Sequence, residues 1–170
     1  MAEFIANTLL LSFAFLMLIA AWKDAAKFTI PNWVPGAMIA LWIAGAPFLG
    51  LTWMQAGLSL AAFAGVLALG LALWAPGWLG GGDVKLIAAG ALWFGWPDVL
   101  AFLLAAAAAG GGLALGLIAL RRLAPVLPVR AEAIGKSALA PGAPAPYAVA
   151  IAAGALFVLP QSALFSAYAG

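Results

Sequence analysis

Two aspartates, Asp24 and Asp83, are the residues of this chain best placed to do chemistry. Asp83 closes the run Gly80-Gly81-Gly82-Asp83, and Asp24 follows the first hydrophobic stretch. An acidic group in apolar sequence costs about 2.5–3.5 kcal/mol on membrane-insertion scales, so its default reading is a functional site. Two carboxylates brought close do not comfortably both ionise: one keeps a proton, the other stays charged, and the pair titrates as a unit. Such a pair is a general acid and a general base together. The ionised member can activate water for attack on a peptide carbonyl while the protonated member polarises that carbonyl.

Other chemistries lack their side chains. The sequence holds neither cysteine nor histidine, which excludes thiol nucleophiles, disulfides, histidine bases and the usual zinc ligands. No metal or cofactor is expected. The sequence is 68% hydrophobic and 7% charged, against about 45–50% and about 25% in soluble domains. With a mean hydropathy of +1.18, it reads as an all-α integral membrane protein. A spanning helix needs about 20 apolar residues, so 170 residues allow roughly six or seven and leave no room for a separate soluble domain; residues 1–170 form one membrane-embedded unit.

Six apolar segments are expected: Phe4–Trp22, Trp33–Leu49, Met54–Trp74, Val84–Trp96, Val99–Leu120 and Tyr147–Phe165. Lys23, Asp24 and Lys27, then Pro31-Asn32, mark a loop after the first, and Asp24 is placed in that loop. Glu3 precedes the first run and the lysines follow it, the reverse of a secretory signal, so it is read as a retained helix. Counting through six spans puts Lys23, Lys27, Lys85, Arg121, Arg122, Arg130 and Lys136 on one side, which the positive-inside rule makes cytoplasmic. Both termini then face outward, and the two aspartates share the cytoplasmic side. The net charge of +2 is a topology signal, with no basic cluster suited to nucleic acid. The small pairs Gly112/Gly116 and Ala61/Gly65 predict close helix contacts, and the tryptophans predict interface anchors.

Each charge also has a plainer role. Asp83 could simply cap a helix, but Val84–Trp96 is about 20 Å long, short of a core of about 30 Å. Asp83 is therefore expected below the inner boundary, where the glycine backbone is tolerated only beside protein or water. Gly80 and Gly82 would also let a substrate backbone come close. Asp24 could be a solvated loop charge, although Phe28, Ile30 and Trp33 suggest a segment lying along the interface. Lys85 either snorkels to the cytoplasm or tunes the acid pair. Asp98 reads as an N-cap, Glu3 as an end charge and Glu132 as a solvated loop residue. A small ion- or proton-coupled transporter with functional buried acids is the alternative from another class, but such acids are expected near the bilayer midplane.

Three motifs resemble the type IV prepilin leader peptidases, especially the short form serving Flp-type pili: Asp24 with Ile30-Pro31-Asn32, the GxGD-like stretch Gly80-Gly81-Gly82-Asp83-Val84-Lys85-Leu86, and Pro146-Tyr147-Ala148 opening the last span. The resemblance implies a multi-pass aspartic endopeptidase of the bacterial inner membrane. Asp24 and Asp83 would be its catalytic residues, with Gly80, Gly82 and Lys85 in support. It implies removal of the basic leader of a type IV prepilin or pseudopilin at the cytoplasmic face, after a glycine that precedes a hydrophobic helix. Longer members carry a cysteine-bearing cytoplasmic insert linked to methylation of the new N-terminus. With a single helix before Asp24 and no cysteine, cleavage without N-methyltransferase activity is expected. Presenilin-like proteases share GxGD but carry a Tyr-Asp pair, whereas Lys23 precedes Asp24.

Overall fold

The computed structural model describes residues 1–123, 138, 140 and 143–165. Arg130, Glu132 and Lys136 lie outside these. The described residues form six α-helices: α1 (Ala2–Lys27), α2 (Trp33–Gly45), α3 (Trp53–Trp74), α4 (Gly81–Phe94), α5 (Asp98–Leu123) and α6 (Tyr147–Val158). Short 3-10 turns extend α2 over Ala46–Phe48 and α6 over Leu159–Gln161.

Among the described residues, three helices are long and apolar enough to cross a membrane: Glu3–Lys27, Trp53–Trp74 and Asp98–Leu123. Their exposed flanks carry large apolar side chains such as Leu11, Phe15, Leu69, Leu104 and Leu115, as lipid-facing helices must. The shorter apolar helices Trp33–Phe48 and Tyr147–Gln161 complete the apolar set.

At the centre stands α4, which packs against α2, α3, α5 and α6. From Ala88 to Phe94 every residue is buried, because the glycine and alanines of this stretch let neighbours close in on all sides. Phe13 of α1 lies 4.9 Å from the Trp93 ring, and Phe94 stacks on Phe102 of α5 at 4.8 Å. The indole N–H of Trp93 donates to the Met38 carbonyl (3.0 Å), so this tryptophan and the buried Trp42 belong to the core. The exposed Trp22, Trp33, Trp53, Trp74, Trp78 and Trp96 keep the positions expected of interface anchors.

Two expectations need correction. Asp24 is not in a loop: α1 continues through Lys27, since Ala25 and Ala26 favour helix and the lysine stems can run along it. The helix stops at Phe28, whose φ of 52° is left-handed and whose N–H caps the Asp24 carbonyl (2.8 Å). Pro31 forbids helix at Ile30 just beyond. The second correction concerns the small pairs. A Cβ added at Gly65, Gly112 or Gly116 would meet nothing within 4 Å, so these glycines seat no neighbouring helix among the described residues. The close approach lies elsewhere, at Gly154, where an added Cβ would collide with the backbone of Ala105 and Ala106. Asp98, expected as an N-cap, reaches across to accept the Ala163 amide (2.7 Å).

Candidate active site

Helices in this bundle alternate in direction, and the ends of α1, α3 and α5 meet the starts of α2, α4 and α6. Both aspartates lie at that end. Asp24 occupies the last turn of α1 and is 7% exposed. Its Oδ2 accepts the backbone N–H of Ala148 (2.9 Å) in the first turn of α6. A helix N-terminus leaves its first amides unpaired and carries partial positive charge, so it is a natural seat for a carboxylate. The bond fixes one Asp24 oxygen and leaves Oδ1 for other partners.

Asp83 sits on the third residue of α4, with Gly80 as the N-cap in extended conformation. It is not the N-cap residue, but its half-buried carboxylate accepts the Gly80 backbone N–H, so it does cap the start of α4 from within the first turn. The glycines are explained by close approach. A Cβ on Gly80 would stand 2.6 Å from Asp83 Oδ2, and one on Gly82 would stand 3.1 Å from the Ile30 Cβ. Any larger residue at 80 displaces the carboxylate, and one at 82 pushes away the turn after α1.

Asp24 and Asp83 line one open cavity of about 310 Å3, with Phe28, Thr29, Ile30 and Asn32 on one side and Gly80 to Gly82 on the other. The two acids are near enough for the charge of one to act on the other. The left-handed Phe28 costs about 1–2 kcal/mol and turns the chain so that residues 28–32 fold back as this cavity's wall. Across it, Lys85 Nζ donates to Asn32 Oδ1 (2.9 Å). Lys85 thereby ties the start of α4 to the Ile30-Pro31-Asn32 turn, a contact the sequence did not announce.

Sequence reasoning placed Asp24, Gly80, Gly82, Asp83 and Lys85 together, and the structure brings all five to one end of the bundle. It did not find the roles of the Ala148 amide or of Asn32 as the lysine's partner. No residue type marked the first, because every helix leaves its opening amides unpaired and Pro146 shows only where α6 starts. On its other side Asp83 also borders an apolar groove between α4, α5 and α6, lined by Ile87, Gly110, Gly111 and Tyr147 among others.

A model of the type IV leader peptidase family matches residues 11–115, a span containing both aspartates, the Ile30-Pro31-Asn32 turn and the glycine run. No curated protein and no solved structure matches the chain. With well over half of its length matched, the chain belongs to the type IV leader peptidase family.

Proposed function

We propose that this protein is a membrane aspartic endopeptidase that removes the short leader of Flp-like type IV prepilins or pseudopilins at the cytoplasmic face. The observation that carries the reading is the shared cavity of Asp24 and Asp83, residues from different helices joined by no local sequence. One carboxylate takes a proton from a water held between them as its oxygen attacks the scissile carbonyl. The partner gives its proton to the carbonyl oxygen, and collapse of the tetrahedral adduct returns a proton to the departing amine. Asp24, fixed through Oδ2 by Ala148, supplies a rigid half of the pair, and Asp83 at the glycine-lined edge supplies the half nearest an incoming backbone.

Charge supports the orientation. Lys23, Lys27, Lys85, Arg121 and Arg122 gather at the end that bears the cavity, which the positive-inside rule assigns to the cytoplasm of a bacterial inner membrane. Six passes then put the start of α1 and the end of α6 on the outer side. A cavity at the helix ends suits a bond at the edge of a substrate's membrane helix, and suits a transporter, whose acids belong near the midplane, less well. Hydrolysis without N-methylation remains the reading, since the sequence has none of the cysteines associated with the longer form.

Co-expression with a prepilin-type substrate tests this by the mobility shift of leader loss. Asp24→Asn and Asp83→Asn are each expected to lower processing by at least about 100-fold, the lower end of what one acid–base group contributes, with the protein still in the membrane. Normal processing by either variant refutes the pair.

A further inference from the structure

The apolar groove beside Asp83 is half of a longer feature. It holds about 390 Å3 and runs from Asp83 past Gly110 and Gly111 to Leu103. A second groove of about 310 Å3 begins at the same Leu103 and continues between α3 and α5, past Gly65 and Ala61, to Trp96. Leu103 lines both grooves, which follow one another along α5 as a trough with this side chain at its middle. From Leu100 to Ala114 it covers about 21 Å at about 1.5 Å per residue, a large part of a bilayer core of about 30 Å.

The lining has two properties that a core groove lacks. Two of its glycines, Gly65 and Gly111, seat no neighbour among the described residues: an added Cβ there meets nothing within 4 Å. Small residues on an open helix face permit the backbone-close packing by which membrane helices associate. The trough also has one polar end, the carboxylate of Asp83, which it shares with the two-aspartate cavity.

We propose that this trough receives the hydrophobic helix of the substrate itself, entering sideways from the lipid and lying along α5 with its scissile end at Asp83. The proposal rests on the peptidase reading and extends it from the bond cleaved to the surface that holds the rest of the substrate. Continuity with the cavity selects the occupant. A helix in the trough ends beside Asp83, where its backbone can pass in extended form between the two acids, whereas an acyl chain gains nothing from a carboxylate there. Specificity for the leader–helix junction then comes from register: the docked helix presents only the peptide bond at its own edge.

The absence of native cysteine makes a direct test clean. Single cysteines are placed at Gly111, near the Asp83 end, at Gly65 and Leu100, toward the far end, and at the exposed Leu11 of α1 as control. All are carried in the full chain with Asp24→Asn, so that substrate stays whole, and oxidised in membranes against a prepilin-type substrate bearing one cysteine walked along its helix. Gly111→Cys is expected to cross-link to the first turns beyond the cleavage site, and Gly65→Cys and Leu100→Cys to later turns, each at least tenfold above Leu11→Cys. Yields equal to the control, as when lipid fills the trough, overturn the proposal, as do cross-links between two copies of the enzyme in place of the substrate.

A second measurement separates docking from chemistry. Gly65→Leu, at the end of the trough away from Asp83 and with both aspartates intact, is expected to raise KM at least tenfold for the membrane-embedded substrate. Its cleavage of a short peptide carrying only the leader and the junction should match that of the unaltered protein. Equal KM for the embedded substrate counts against the trough. If the unaltered protein cleaves neither substrate, the peptidase reading falls, and the cross-linking result still decides the docking surface.

Discussion

Gly80 shows how narrowly the acid pair is positioned. Its missing Cβ is the space Asp83 Oδ2 occupies, at 2.6 Å from where that carbon would be. Gly80→Ala must move the carboxylate, and displacements of about 1 Å can cost about 100-fold in rate. The expected outcome is a loss of that order in leader cleavage, with thermal unfolding in detergent little changed because Gly80 is exposed and nothing packs behind it. The Lys85 to Asn32 bond makes a different forecast. If its role is to hold the 28–32 turn against α4, Asn32→Ala and Lys85→Ala should each slow cleavage by a few fold. The double variant should be no worse than the poorer single one, the non-additive signature of two residues acting through one contact. Purified enzyme assayed on one substrate measures both.

Among the elements, α6 carries more than its 12 residues suggest. It packs on α1 and α5, and its first turn supplies the amide that fixes Asp24. Gly154 is what lets it lie against α5. Gly154→Leu would drive a side chain into the Ala105–Ala106 backbone, and overpacking of this kind costs about 1–3 kcal/mol or more. A lowered unfolding temperature in detergent is expected, with a fall in cleavage larger than Gly112→Leu produces, because Gly112 faces open space. The contrast also explains a misreading. Small pairs such as Gly112/Gly116 are visible in a sequence, but which face of a helix they occupy depends on where the other helices stand. The Gly154 contact, one glycine against two alanines, has no pattern to mark it. The end of α1 was missed for a related reason: Lys23, Asp24 and Lys27 look like a loop by charge, yet each fits a helix whose last turn reaches the interface.

In the whole molecule, the apolar runs were legible because hydrocarbon demands helices and about 20 residues to cross. The convergence of Asp24 and Asp83 was legible through the motifs flanking them, which supplied a pairing that hydropathy cannot. The contacts that hold the pair were not: the Ala148 amide is a backbone group without a residue-type signature, and the Asn32 partner depends on how residues 28–32 fold back. The same scale shows a division of labour, with α4 buried and α3 and α5 presenting apolar flanks outward.

One bond carries a further consequence. Asp24 and the amide that anchors it are separated by 124 positions in the chain, so a ribosome that has released α1 through α5 has built both acids but not the clamp on the first. Until α6 joins the bundle, Asp24 lacks the amide that anchors it. If the two aspartates cleave the leader as proposed, the order of synthesis holds that cleavage back until α6 is in place.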